Sequence, residues 1–388
     1  DGFKELDNGG PTGFDADDLM LKIGAYKSDG PMPQSVELKY QTREETSNET
    51  YLGLTLEDFR VNPDRRYDAS ADDVFRGENE LFQLTHKIEV SPTLSLTTIA
   101  YSHEFARNWY KLQGINAAGT GSSGDVGISS ILADPVTYAA EYALITGAAS
   151  LDNSIVYRAN QRAYSSEGIQ STLSWQTDLG GLDHDVTFGI RVHQDEEDRF
   201  QKEDAYRLAG GALALTTAGA AGSNANRVSS GEAVAVFIQD RVTLNRLTVT
   251  GGLRFEDYEL TREDYSTADP TRADGPTNVR TLDDQVVVPG LSALYELNDD
   301  LTLLAGVHRG FAIASPGATD ADAEESVNWE AGGRFSRNGL DVEAIAFFND
   351  YSNLLGTCTA SSGGNCTIGD QFDGGEVDVM GLELTASW

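Results

Sequence analysis

The stretch DRVTLNRLTVTGGLRFE, residues 240–256, decides how the chain is read. Val242 and Leu244 alternate with Arg241 and Thr243. Beyond Asn245-Arg246, Leu247, Val249, Leu253 and Phe255 alternate with Thr248, Thr250, Gly252 and Arg254. Period two broken by one short polar pair is a β-hairpin with an apolar and a polar face. A soluble sandwich would bury the apolar face as its core. A membrane barrel would turn that face to lipid and line a lumen with the polar one.

The same alternation recurs outward from this hairpin, in SVELKYQT (35–42), GIQSTLSWQT (168–177), DHDVTFGIRVHQD (183–195) and SVNWEAGGRF (326–335). About fourteen strands are expected, beginning near residues 1, 17, 34, 78, 93, 166, 183, 229, 246, 285, 300, 327, 340 and 374. Short connections (27–33, 91–93, 178–182, 245–246, 298–300, 337–339) alternate with long ones (46–77, 111–165, 201–228, 264–284, 310–326, 353–373). If the strands run up and down, all long loops fall on one side. That is the asymmetry of an outer-membrane barrel, with short periplasmic turns and long extracellular loops. Several strands continue as polar arms, as in HQDEEDRF after Val192 and EDYELTRED after Phe255, which fits a wall rising above an apolar band. Within the long loops, 134–149 reads as a short helix, and 212–226, small and polar, as a mobile segment.

The chain has 388 residues, with 62 Asp and Glu against 28 Lys and Arg, for a net charge of −34. That acidity excludes a general nucleic-acid binder. No run approaches the ~20 apolar residues of a membrane helix, which leaves a barrel untouched because its strands alternate. The sequence opens at Asp1 without a signal peptide and reads as a processed chain or a piece of a longer one. Cys358 and Cys366, the two cysteines, sit close together in TCTASSGGNC and read as a loop disulfide formed in an oxidising compartment.

No nucleophile elbow, P-loop or zinc-protease motif is present, so neither an enzyme nor a cofactor is expected. The run DEED (195–198) reads as a solvated strand end. Arginine is scarce, and its placement therefore matters. Arg158, Arg162, Arg207 and Arg227 lie in or beside long loops, while Arg191, His193 and Arg254 lie on polar strand faces. The ordinary reading of any one of them is balance against a neighbouring acid. Converging, their planar guanidinium forks suit carboxylate or phosphate groups of an anionic ligand.

Several segments resemble the TonB-dependent outer-membrane receptors, and in particular their ferric-citrate-type siderophore branch. These are DGFKELDNGGPTGFDADDLMLKIG (1–24), ETYLGLTLEDFRVNPDRRYDAS (49–70), PGLSALYEL (289–297), HRGFAIASP (308–316), ESVNWEAGGRF (325–335), LDVEAIAFFNDYSNLLG (340–356) and FDGGEVDVMGLELTASW (372–388). The resemblance implies an all-β, antiparallel transmembrane barrel of about 22 strands. It also implies an N-terminal plug, outer-membrane lipid around the wall, the cell outer membrane of a Gram-negative bacterium, and import of a ferric chelate driven through the plug by the TonB–ExbB–ExbD system. Residues 1–388 would then be a partial barrel, about 14 strands of it, lacking the plug and the C-terminal strands. Two readings from other classes stay open: a self-contained porin or diffusion channel, and a soluble acidic β-rich binding protein.

Overall fold

The computed structural model describes residues 5–7, 9–121, 127–316, 322–357 and 371–388. Cys358 and Cys366 lie outside them. In chain order the first strands and helices are β1 (Glu5–Leu6), β2 (Phe14–Lys27), β3 (Gln34–Ser47), α1 (Leu56–Val61), β4 (Arg65–Arg66), β5 (Val74–Ser91) and β6 (Leu94–Ile115). There follow α2 (Ile128–Ala133), α3 (Ala139–Ile145), β7 (Ile155–Leu179), β8 (Leu182–Ala209), β9 (Ala212–Thr217), β10 (Ala225–Leu244) and β11 (Leu247–Asp264). The last are β12 (Asn278–Asn298), β13 (Leu301–Ala312), β14 (Glu324–Arg337), β15 (Leu340–Asn353), β16 (Leu355–Thr357), β17 (Gln371–Asp373) and β18 (Val377–Ser387).

Fourteen of these strands form one sheet, an antiparallel meander in the order β18-β15-β14-β13-β12-β11-β10-β8-β7-β6-β5-β3-β2, with β9 folded back on β8. Among the described residues β2 and β18 are its two ends, and no register pairs them. The expected turns are in place. Gly180 (φ 66°) and Gly181 (φ 82°), and Asn338 (φ 52°) and Gly339 (φ 83°), supply the paired positive φ that a two-residue hairpin needs to match strand twist. Asn245 (φ 54°) opens the turn of the 240–256 hairpin, which pairs Leu244 with Leu247 and Val242 with Val249.

The faces of that hairpin are inverted relative to a soluble protein. Leu253 and Phe255 are 47% and 37% exposed. Arg254 between them points the other way, with its guanidinium over the Phe237 ring. The same inversion runs along the wall: Leu21, Leu38, Leu84, Ile190, Ile238, Leu291, Trp329 and Leu382 are exposed large apolar side chains. An apolar face that excludes water only if something apolar covers it is the outer wall of a membrane barrel. The inner wall is closed where aromatic rings lie over glycines. Phe237 fills the space over Gly189, and Tyr101 the space over Gly168, so a methyl at either glycine would collide with the ring. Among the described residues no helix is long and apolar enough to cross a membrane.

Four expectations are corrected. The candidate strand near residue 1 is not part of the wall: β1 pairs in parallel with β4, and Arg65 binds Asp7 (2.9 Å). The segment read as mobile contains β9, because Thr216 binds Asn153 (2.6 Å) and the Ala205 carbonyl (3.0 Å). The helix expected over 134–149 is confined to Ala139–Ile145, a tight turn preceding it. The strands also run longer than expected, since β6, β7, β8 and β10 keep their ladders into arms of polar residues.

A conventional core sits on those arms. Leu52, Tyr67, Ala69, Leu112, Ile115, Ile131, Leu144, Ile145, Ile155, Tyr157 and Leu208 form one buried cluster that joins the 48–73 and 116–154 loops to β6, β7 and β8. Its charged groups are answered internally, as burial requires. Buried Arg66 donates to the carbonyls of Asn48, Ser70 (2.5 Å) and Asp73 (3.0 Å). Asp58 accepts from Tyr67 (2.5 Å), Thr55 (3.0 Å), Arg65 (2.6 Å) and Tyr142. Burial raises the Asp58 carboxyl, but these hydroxyl donors and Arg65 outweigh it and leave the group below the usual range. Asp73 accepts from Thr50 (2.5 Å) and the Leu112 N–H (2.7 Å), and burial pushes it up to about 6.

Candidate functional site

The registers place four arginines side by side. Arg107 on β6 lies opposite Arg162 on β7, Arg162 opposite Arg199 on β8, and Arg199 opposite Arg227 on β10. Alternation carries all four to the face that also holds Arg191, His193 and Arg254, the lumen face, on the extracellular arms above the apolar band. Strands spaced ~4.8 Å apart make the row about 14 Å long. Four residues further out along each strand, Lys111 lies opposite Arg158. Like charges directly opposite one another destabilise a sheet. A row of four in a chain of net charge −34 is therefore a costly feature of the wall.

The side chains around the row fix it. Tyr164, stacked on Phe105 (centroids 5.8 Å), receives hydrogen bonds from Arg107 (3.2 Å) and Arg162 (3.3 Å). One oxygen of Glu197 accepts from both Arg162 (2.7 Å) and Arg199 (3.2 Å). Glu203 accepts from Arg158 (2.5 Å). Asp264, opposite Arg227 on β11, is held by Arg262 (2.7 Å), and Arg227 Nε is buried with no hydrogen-bond partner. Beside the row Tyr51 stacks on Trp109 (3.8 Å), and Lys111 Nζ lies 4.1 Å over the Tyr51 ring. Cationic forks next to stacked aromatics can take up an anion with flat or apolar parts.

A lower tier lies about 20 Å further in, at ~3.3 Å per residue. Arg191 donates to Tyr101 Oη (2.7 Å), which lies 2.6 Å from His193 Nδ1. Asp195 takes the His193 Nε2–H (3.2 Å), and Nδ1 faces the donors Tyr101 Oη and Arg191 (3.2 Å). Arg191 Nε is buried without a partner. Arg254, on the same face, is engaged by Glu256 and Phe237.

Of the residues expected from sequence, Arg158, Arg162 and Arg227 lie in the upper tier and Arg191 and His193 meet in the lower, with Arg254 on the same face but separated from them by β10. Arg207 joins neither: it sits at the tip of β8, exposed, paired with Asp152 (3.1 Å). Arg107, Lys111 and Arg199 were not anticipated. Arg199 had a signal, since it and Arg162 are equally far from the Gly180-Gly181 turn. The DEED run is not one solvated end. Asp195 and Glu197 face the lumen against His193 and the row, while Asp198 faces outward and binds Arg272 (2.6 Å).

Known proteins place this wall in context. The sequence profile of the family described as "TonB dependent receptor-like, beta-barrel" matches residues 28–388. Among solved structures, the chain is similar to the ferric citrate transporter FecA in its unliganded form, with 20% identity and a TM-score of 0.68, covering 96% of this chain and 47% of that one. It is similar also to the ferric yersiniabactin uptake receptor FyuA of Yersinia pestis, with 15% identity and a TM-score of 0.64, covering 99% and 51%. The pesticin receptor of Yersinia enterocolitica is 28% identical over 160 residues, 37% of this chain and 21% of that protein. The chain thus spans about half the length of these solved relatives. With its exposed apolar band, its short turns opposite long arms and its profile match, the chain belongs to the TonB-dependent receptor β-barrel family of the Gram-negative outer membrane.

Proposed function

We propose that the whole protein imports an anionic ferric chelate, of citrate or catecholate-like type, across the outer membrane. The row Arg107–Arg162–Arg199–Arg227 carries this reading. Its forks face the lumen, and two carboxylates, Glu197 and Glu203, are interleaved with it and Arg158. A chelate presenting several carboxylate or phenolate oxygens would replace water around the row, and its bulk would rest on Trp109 and Tyr51. The lower tier of Arg191 and His193 continues the path inward. The wall residues do no covalent chemistry. Movement is driven through a plug by the TonB–ExbB–ExbD system, in a barrel that this chain contributes to as its middle part, with outer-membrane lipid on the apolar face. A self-contained fourteen-stranded channel is disfavoured because β2 and β18 end at opposite edges of the strand order.

The test is iron uptake by cells carrying the intact gene beside a deletion strain, supplied with ferric citrate or a ferric catecholate as sole iron source. Growth and ⁵⁵Fe accumulation should require the gene for at least one of them. Equal uptake by both strains for every ferric chelate would overturn the substrate class.

A further inference from the structure

We propose that Glu197 is a resident counter-anion, a specificity-determining residue that occupies part of the arginine row until a ligand larger than one inter-strand cleft arrives. This rests on the reading of the row as the chelate site. Glu197 Oε1 holds Arg162 (2.7 Å) and Arg199 (3.2 Å), two arginines of adjacent strands, and the side chain is only about a quarter exposed. It sits where the carboxylate of a ligand would sit, because two guanidinium groups already converge on it. Tyr164 ties together the neighbouring pair of strands, β6 and β7, through Arg107 and Arg162. Arg227, at the far end, has its Nε buried and unmatched.

The consequence is selectivity by span. A compact anion that fills one cleft exchanges its carboxylate for that of Glu197. It gains little, because the displaced glutamate is left half-buried without its two partners. An anion long enough to reach Arg227 or Arg107 as well adds contacts that Glu197 does not contest. Iron-free citrate is of the first kind, and ferric citrate, which joins more than one citrate around the metal, is of the second. The glutamate thus lets the row discriminate a loaded chelate from its empty chelator although both are anionic. Removing its charge removes the competitor without removing a fork.

The experiment compares the whole receptor in detergent as wild type, Glu197→Gln and Glu197→Asp. Ferric citrate is titrated, and iron-free citrate competes against it. Glu197→Gln should strengthen iron-free citrate about tenfold while changing ferric citrate less than threefold, so that the ratio of the two affinities collapses. Glu197→Asp, charged but one methylene shorter, should shift the ratio in the same direction by a smaller factor; it also serves if the glutamine variant fails to reach the membrane. Unchanged ratios, or equal weakening of both ligands, would overturn the role of Glu197. Arg227→Ala separates this from the reading beneath it. Loss of ferric citrate affinity there with an unchanged Glu197→Gln ratio sinks only the counter-anion. No loss in Arg227→Ala, together with no effect of Glu197→Gln, sinks the row as the chelate site and the counter-anion with it.

Discussion

The hairpin at 240–256 and the loop core on the arms use the same alternation in opposite senses. In the hairpin, the apolar residues Leu253 and Phe255 are exposed, and Arg254 of the polar face is engaged by Glu256 and the Phe237 ring. On the arms of β6, β7 and β8, the apolar residues Ile155, Val156 and Tyr157 are fully buried, Ile155 and Tyr157 against loop residues such as Leu52, Ala69, Ile131 and Leu144, while the next residue, Arg158, faces the lumen. The difference is the solvent on the outer face. Lipid covers the band, so the band needs no protein cover; above it there is water, so the protein supplies its own apolar layer. That layer backs the wall bearing the arginine row. It gives the row a rigid support from Tyr157, whose hydroxyl donates to the Ala69 carbonyl (2.7 Å), and from the buried Arg66 and Asp73.

The contrast can be broken most strongly at the core. Tyr157→Ala should cost about 3–5 kcal/mol of local stability, seen as faster amide exchange through 116–154 with the apolar band unaffected. Next comes the band itself. Leu253→Arg should destabilise the receptor in lipid by about 2–4 kcal/mol, because a lipid-facing charge lies near mid-membrane. Thr250→Arg, on the lumen face of the same strand, should stay within about 0.5 kcal/mol in the same urea titration. Equal costs would remove the assignment of faces.

A smaller effect follows from Asp73. Its folded-state pKa of about 6 lies above the unfolded carboxyl value, so the folded cap favours the neutral acid. Above that pKa both states are ionised and the cap bears the full penalty; as pH falls through about 6, protonation relieves it. Asp72, also raised by burial, acts with the same sign. Protection of the cap amides should therefore increase by about 1 kcal/mol from pH 7 to pH 5, after correction for intrinsic exchange. A decrease would contradict the burial of Asp73. The smallest effect is expected at Arg207, whose exposed pair with Asp152 should contribute less than about 0.5 kcal/mol on substitution to Ala.

Most of the wall was legible because period two and short turns are local signals. Thirteen of the strand starts expected from alternation correspond to wall strands, and the short turns stand where Gly, Asn, Asp or, at Ser91-Pro92-Thr93, Pro marked them. The pairing of Arg162 with Arg199 follows from the Gly180-Gly181 turn. The juxtaposition of Arg107 with Arg162 does not, because the loop of residues 116–154 separates their strands and its length sets no register. Nor does Arg199 with Arg227, since β9 intervenes. The loop core was illegible for a related reason: Tyr67, Ile131 and Tyr157 are far apart in sequence, and the apolar residues of these loops follow no sustained period that would reveal that they pack together.

The direct test of the row is equilibrium binding of ferric citrate to the whole receptor in detergent, for the wild type, Arg162→Ala/Arg199→Ala and Arg207→Ala. If the polar face of this wall is the interior and the row meets the chelate, the double variant should lose about 100-fold in affinity, equivalent to ~3 kcal/mol, and Arg207→Ala should stay within twofold of wild type. Tight ferric citrate binding by the wild type, unchanged in the double variant, would contradict it.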